Sequence, residues 1–334
     1  MEDPGGGERS VNVMKTLIIG GSSFVGRAIA LAAVERGHEV TVFNRGHTPT
    51  DLPASVRRLV GDRRRDLTAL DEGRYDVTID AIAYQRQDVE LLHDCLGDRA
   101  GYYLQISSIS AYQDPRDVGA DESTPLLALG DLDPNAPVTA ATYGVLKAEC
   151  ERAAMERFGP EIAVVRPTFV IGSHDKTLRF PYWVARIRRG GRVAFPGPRS
   201  NPLQWIDARD LAEFTLRLAE ERYAGAVHAL GPTPALSFAD ALSRVVAHVG
   251  PPGTSLVEID PVRLSDAKWY EKFPLWSGPT SETALAMSND AALALGLALR
   301  SLEESVDDTA AWLETQPWSD AWLSGDEEAA LLDE

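Results

Sequence analysis

Cysteine is nearly absent: Cys95 and Cys150 are the only two in 334 residues. That excludes a disulfide framework and a cysteine metal cluster. The histidines show no metal-ligand spacing, so no metal site is expected. Long apolar runs are missing too, and none approaches the roughly 20 residues that a membrane span needs. The first 13 residues are rich in glycine and charge and lack the apolar core of a signal peptide. They read as a disordered leader, with folding starting near Met14 and a reducing cytoplasm as the expected compartment. Basic residues are scarce: 33 Lys and Arg stand against 50 Asp and Glu, a net charge of −17. A phosphate backbone attracts basic faces, so this balance argues against nucleic acid and against anionic membranes as partners. No internal repeat is visible. What remains is a small-molecule partner; the oligomeric state is open, with a homodimer one option.

What is present is an ordinary globular composition, 44% hydrophobic and 25% charged. A chain this long can bury about three quarters of its unfolded surface, in one large domain or two linked ones. The organising stretch is Leu17-Ile18-Ile19-Gly20-Gly21-Ser22-Ser23-Phe24-Val25-Gly26. An apolar strand, 16–19, ends in glycine, and a helical pattern follows at once, 24–36. A helix N-terminus presents unpaired N–H groups and a positive dipole end, and a glycine turn lets a pyrophosphate approach them. Gly20, Ser22, Ser23, Phe24 and Val25 are therefore candidate dinucleotide-binding residues, with Gly26 for tight packing of helix on strand. Ser23 stands where the usual G-x-x-G-x-x-G spacing has its central glycine.

Further strands follow at 39–43, 56–60, 75–80, 102–106 and 161–166, with helices at 24–36, near Asp66, 87–96 and 140–158. Strands alternating with helices indicate a parallel sheet with right-handed crossovers, whose ligands sit at the carboxyl ends of the strands. The second strand ends in Asn44-Arg45-Gly46. An acid at this position would bind a free ribose 2′-hydroxyl, whereas an arginine suits a 2′-phosphate. Asn44 and Arg45 thus favour NADP(H) over NAD(H), against the plainer reading of a surface arginine. Asp62 belongs beside adenine or caps a helix starting near Asp66. Ala81 and Ala83 are small enough to leave room for a ribose. Residues 114–139 form a long loop, a length often functional. Helices are also expected at 179–189, from Asp210 to Glu221, at 237–248 with Ser237 as N-cap, and at 301–313 with the Ser301–Glu304 capping box. Strands are expected at 226–230, as one more of the same sheet, and at 256–259.

Tyr143 and Lys147 lie four apart on one helical face. A neighbouring ammonium would pull a phenol's pKa down from about 10, fitting Tyr143 as a general acid or base. Ser108 would hold the reacting oxygen, and Lys147 would also reach a cofactor ribose. These features resemble the extended short-chain dehydrogenase/reductase superfamily, in its NAD-dependent epimerase/dehydratase branch, from about Lys15 to Trp312. The resemblance rests on the glycine turn, Ser107-Ser108 ahead of Tyr112, Tyr143 to Lys147, Arg166-Pro167-Thr168, and Asp207 to Leu211. It implies Ser108, Tyr143 and Lys147 as a catalytic triad and Pro167 and Thr168 beside the nicotinamide. Residues 43–46 and 61–63 resemble an atypical branch that includes chloroplast RNA-binding proteins.

Where nucleotide-sugar members carry an arginine, seven residues before Asp210, this chain has Leu203, followed by Trp205. Trp269 to Trp276 either wall an apolar pocket or fill a core. His174 assists a substrate proton transfer or is polar surface. Arg186, Arg188, Arg189 and Arg192 form a solvated helix end or meet an anionic substrate. Leu203, Trp205, Trp276 and His174 are accordingly candidate substrate residues.

The expected architecture is an α/β doubly wound parallel Rossmann sheet with a smaller, discontinuous C-terminal substrate subdomain. Residues 14–170 plus 203–232 bind NAD(P), 171–202 plus 233–323 bind substrate, and 324–334 are a frayed acidic tail after the 1–13 leader. The expected function is NADP-dependent hydride transfer at a carbonyl or alcohol of a small, partly apolar metabolite. The alternatives are a sugar or nucleotide-sugar epimerase or dehydratase, and a non-catalytic cofactor-sensing or RNA-binding module.

Overall fold

The computed structural model describes residues 12–49, 51–114, 117–264, 269, 272–276, 278, 285–316 and 322–333. Most of the leader, Tyr270 and Trp318 lie outside them. The first strand, β1 (Lys15–Ile19), buries Leu17, Ile18 and Ile19 completely. A strand apolar on both faces belongs inside a parallel sheet covered on both sides. The chain continues through α1 (Phe24–Glu35), β2 (Glu39–Asn44), β3 (Arg57–Val60), β4 (Val77–Asp80), α2 (Arg86–Leu96), β5 (Tyr102–Ile106), α3 (Tyr143–Phe158) and β6 (Ala163–Pro167). Then come β7 (Phe169–Ile171), α4 (Arg179–Arg188), β8 (Arg192–Pro196), β9 (Pro202–Asp207), α5 (Ala208–Glu220) and β10 (Gly225–Ala229). The last elements are β11 (Gly231–Ser237), α6 (Phe238–Val249), β12 (Ser255–Ile259), α7 (Asp290–Ala294), α8 (Leu302–Leu313) and α9 (Gly325–Asp333).

Seven strands form one parallel sheet in the order β10-β6-β5-β4-β1-β2-β3. Helices α1 and α5 pack on one face over Ile18, Val42 and Ile79, and α2 and α3 on the other over Leu17, Ile19 and Phe43. This is the doubly wound arrangement expected. Ile19 lies opposite both Phe43 and Asp80, so β1, β2 and β4 end level and their following turns meet at one edge. A second core, around Trp183, Phe195, Phe238 and Phe273, gathers α4, α6 and α8 with two small sheets, β11-β9-β7 and β12-β8.

Several expectations need correction. No α-helix starts near Asp66; its carboxylate accepts from the Thr68 N–H at 3.1 Å and hydroxyl at 2.6 Å, where a short 3₁₀ turn, Thr68–Leu70, begins. Helix α5 is capped by Asp207, not Asp210, because the Asp207 carboxylate accepts from the Arg209 N–H at 2.9 Å. The acidic tail is not frayed through the described residues. Ser324 and Glu327 exchange hydrogen bonds at the start of α9, and buried Glu328 meets Arg186 Nε at 2.5 Å and the Ala194 N–H at 2.9 Å. The basic run is correspondingly occupied: Arg188 pairs with Glu314 at 3.1 Å, and Arg192 donates to the Leu332 carbonyl at 3.0 Å.

Candidate active site

The turn after β1 closes when the Gly20 N–H donates to the Phe43 carbonyl at 2.9 Å. A Cβ on Gly26 would lie 2.3 Å from the Gly20 carbonyl oxygen, so only glycine lets α1 sit directly on this turn. Ser23 is the N-cap residue of α1, with φ −146° and ψ 139°. That is extended backbone which any residue adopts, and it explains why serine is tolerated in place of the central glycine. Phe24 carries the strain instead, at φ 42°. The side chains of Phe24 and Val25 pack against the main core.

A cleft of about 510 Å³ runs from Gly20, Ser22 and Ser23 past Asn44, Arg45 and His47 to Asp62–Arg65, Ile82 and Tyr84. The Asn44 side chain accepts from the Gly46 N–H at 2.7 Å and so shapes the turn that projects Arg45. Arg45 is exposed and has no side-chain partner among the described residues. Asp62 accepts from the Arg64 N–H at 2.9 Å, and its backbone N–H donates to Asp66 at 3.0 Å. It thus caps a tight loop while still lining the cleft. The residues bracing that loop escaped sequence reasoning. Buried Arg63 grips buried Asp80 with both arms, at 2.9 and 2.7 Å, and Arg64 grips Asp88 at 2.6 and 2.9 Å. Burial alone would raise the Asp88 carboxyl; the Arg64 hydrogen bond and the Arg63 charge outweigh it and hold the pKa below the usual range. The only sequence signal for this brace was Gly61-Asp62-Arg63 itself.

On the far side of α1's first turn, Ser22, Ser23, Phe24 and Arg27 share a second cleft with Thr48, His174, Lys176 and Trp312. His174 packs against Trp312 with ring centroids 5.5 Å apart and planes tilted by 35°, and its charged neighbours are Arg27, Asp51 and Asp308. The structure therefore groups His174 with the glycine turn, not with Tyr143. Burial and the Arg27 charge push its pKa down.

Ser108 follows β5 and caps a 3₁₀ turn by accepting from the Ser110 N–H at 3.1 Å. Tyr143 opens α3, which abuts that turn so closely that a Cβ on Gly144 would fall 2.2 Å from the Ser110 carbonyl oxygen. The contact brings the Ser108 hydroxyl to the Tyr143 phenol. Lys147 does something unexpected. Its buried ammonium donates to the Ala83 carbonyl at 2.9 Å and the Ile106 carbonyl at 2.8 Å, and sits 4.9 Å from the centre of the Tyr84 ring. Tyr84 lies beside Tyr143, with centroids 6.4 Å apart.

The Tyr143 pKa is raised, not lowered. Burial pushes it up, and the opposing influences are the Ser108 hydrogen bond and the charge of Arg179, not that of Lys147. The Lys147 charge acts on Tyr84, where burial still wins and the pKa rises. Tyr143 is therefore a protonated phenol at neutral pH, and the arrangement suits a proton donor. The expected pull of Lys147 on Tyr143 is corrected accordingly.

The other predicted residues fall in several places. Ala81 donates its N–H to the Ile19 carbonyl at 3.1 Å, and Ala83 is fully buried as the acceptor of Lys147, so Ile82 lines the cleft between them. Pro167 ends β6, and the Thr168 hydroxyl donates to the Gln204 carbonyl at 3.3 Å. Leu203 and Trp205 are buried in the second core around a small apolar cavity of about 20 Å³ with Trp183 and Phe238. Trp276 is buried in the same core, edge-on to Phe273 at 6.2 Å. These three fill a core, as does partly buried Trp269 at its margin.

Comparison with known proteins bears on this geometry. The profile of the NAD-dependent epimerase/dehydratase family matches residues 16–229. A 2-alkyl-3-oxoalkanoate reductase from Stenotrophomonas maltophilia (strain K279a) is 27% identical over 275 residues, covering 72% of this chain and 77% of the relative. The chloroplast stem-loop binding protein of 41 kDa b from Arabidopsis thaliana is 23% identical over 272 residues, covering 76% of this chain and 68% of that protein. The crystal structure of the Bordetella bronchiseptica enzyme WbmG in complex with NAD and UDP superposes with a TM-score of 0.67 at 16% identity, covering 93% of this chain and 98% of that one. With the glycine turn, the level strand ends and the profile match spanning most of the chain, the protein belongs to the NAD-dependent epimerase/dehydratase family, as an NAD(P)-dependent enzyme of the extended short-chain dehydrogenase/reductase type.

Proposed function

We propose that this enzyme is an NADP(H)-dependent reductase of a carbonyl on a small, partly apolar metabolite. The observation that carries the reading is Tyr143, a phenol kept protonated by burial and touched by the Ser108 hydroxyl. The residues present fit a dinucleotide. The glycine turn offers α1's N-terminal N–H groups to a pyrophosphate, and the 510 Å³ cleft beside it has room for an adenosine end. At the end of β2, Arg45 and the absence of an acid favour a 2′-phosphate. A bound reduced nicotinamide supplies the hydride. Ser108 orients the carbonyl oxygen, and Tyr143 gives that oxygen its proton. The phenolate left behind regains a proton from solvent. Lys147 holds the turn after β4 against β5 and positions Tyr84 at the cleft. The name of the Stenotrophomonas relative, a reductase of an oxo acid, supports net reduction.

In this reading residues 171–202 plus 233–323 form the substrate side, the compartment is cytoplasmic, and the partner is a small molecule rather than nucleic acid or membrane. A nucleotide sugar fits less well. Leu203 is buried apolar core, and Arg186, Arg188 and Arg192 are engaged with the C-terminal segment. Oxidation of NADPH in stoichiometric amounts by 3-oxo acids and ketones, followed by loss of its absorbance, tests the proposal. A saturable rise in melting temperature with a UDP- or dTDP-sugar and no net NADPH oxidation would transfer the protein to the epimerases.

A further inference from the structure

Arg179 opens α4 beside Phe169, the first residue of β7. Its guanidinium carbon lies 5.6 Å from the centre of the Phe169 ring, at the start of β7. Its Nε donates to the Thr177 hydroxyl at 3.0 Å. The two terminal nitrogens have no hydrogen-bond partner among the described residues, and the side chain is 31% exposed. The nearest carboxylate, Asp175, stands 4.0 Å from Nε and is already used by its own loop. It accepts from the Thr177 N–H at 2.9 Å, the Thr177 hydroxyl at 2.6 Å and the Arg179 N–H at 3.2 Å. The loop thus fixes the base of the arginine and leaves its fork open. The Arg179 charge acts on the Tyr143 phenol, against the effect of burial. The other cation of the site, Lys147, is buried and committed to the Ala83 and Ile106 carbonyls.

A planar fork with free N–H groups is suited to bidentate contact with a carboxylate, and its aromatic backing limits the entropy lost on binding. We infer that Arg179 anchors a carboxylate of the substrate, so that the enzyme reduces oxo acids in preference to neutral ketones or esters. This rests on the reductase reading above. It goes beyond that reading by assigning the charge of the substrate and the residue that selects it. Tyr143 remains the proton donor.

Two measurements test this, one of them independent of turnover. Calorimetry on the NADPH-saturated protein compares straight-chain carboxylates with their primary amides. At least one acid should bind about 10- to 100-fold more tightly than its amide, the range expected for a charge-assisted pair. Arg179→Gln should bring the acid to the level of the amide without altering NADPH affinity, and Arg179→Lys should recover part of the difference. Steady-state rates then compare a 2-alkyl-3-oxo acid with its methyl ester. Arg179→Gln should raise KM for the acid by a similar factor, with KM for the ester little changed. Acids that bind no better than amides in the unaltered protein overturn the inference. So does an Arg179→Gln protein in which acid and ester lose equally in kcat, which would make Arg179 an influence on Tyr143 alone. If carboxylates bind through Arg179 but no oxo compound is reduced, the anchor stands and the reductase reading falls.

Discussion

Replacing Lys147 by methionine separates two accounts of the site. If the lysine lowers the Tyr143 pKa, its loss should move the alkaline limb of the pH–rate profile upward by a unit or more. The structure gives it different work, as the donor to two buried carbonyls and the cation over Tyr84. Methionine keeps the stem and removes the N–H groups. Each buried carbonyl left unpaired costs about 1–3 kcal/mol. Releasing the ammonium from its own burial returns part of this, so the net loss should be about 2–3 kcal/mol. For a large domain that corresponds to a melting temperature lower by roughly 4–12 °C. Thermal and urea unfolding measure the loss, and kcat/KM against pH with a carbonyl substrate reads the phenol. The expected result is a clear loss of stability with the alkaline limb displaced by less than about half a unit. A protein of near-normal stability whose alkaline limb rises by more than a unit would refute the assignment and restore Lys147 as the activator of Tyr143.

Other outcomes follow from the same geometry. Tyr143→Phe should keep NADPH affinity and lose turnover by about 10²–10⁴-fold, the usual worth of a positioned proton donor; near-normal rates in the folded variant would remove Tyr143 from the reaction. Arg45→Ala should weaken NADPH by about 10- to 100-fold and leave NADH nearly unchanged, since an exposed charge-assisted contact to a 2′-phosphate is worth up to about 3 kcal/mol; calorimetric titration of both cofactors decides. Because its pKa is raised, Tyr143 is a proton donor throughout the neutral range, so kcat for reduction should hold from acid to neutral pH and fall only as the pH rises through the displaced phenol value. Glu328→Ala removes the counter-ion of the buried Arg186 guanidinium, which keeps its bonds to the Gly190 and Arg192 carbonyls, and should cost about 3 kcal/mol, read as early protease cleavage near α9; a variant as stable as the parent would mean that α9 is undocked in solution.

The parts of the molecule that were legible in the sequence are those whose signal is local. Strands β1, β2, β4, β5 and β6 read clearly because burial on both faces demands unbroken apolar runs. The Ser301–Glu304 capping box and the Ser237 N-cap read clearly because each is completed within one turn. Strands β7, β8 and β9 were hidden: they are three to six residues long, two of them contain proline, and their partners lie far along the chain. Helix α9 was hidden for a related reason. Its acidic composition looks like a solvated tail, and only the meeting of Glu328 with Arg186, 142 residues away, turns one of those charges inward. In the site, the spacing of Tyr143 and Lys147 fixed their common face. It did not reveal that Tyr84, arriving from another strand end, would intercept the ammonium.

Net charge misleads in an instructive way here. An excess of 17 negative charges argues against a polyanionic partner, whose many phosphates feel the whole surface. It says little about one small anion in a cleft, because exposed charges farther away than the screening length of about 8 Å are largely cancelled at physiological salt. What counts is the local inventory. Around the cleft beside the glycine turn Asp88 and Asp80 are neutralised by Arg64 and Arg63, whereas Arg45 and Arg65 have no side-chain partner among the described residues. Beyond the glycine turn, Arg27 is paired with Asp51, and Lys176 reaches only the Thr48 hydroxyl, at 3.2 Å. The acids near the turn are thus spent on holding loops, and the cations left over face the clefts. An acidic protein builds anion-binding ground in this way, by pairing its carboxylates structurally and leaving a few arginines and a lysine unopposed. Cofactor affinity should accordingly weaken with added salt while overall stability changes little, since the unopposed charges sit in the clefts and the load on the fold is carried by paired or buried ones.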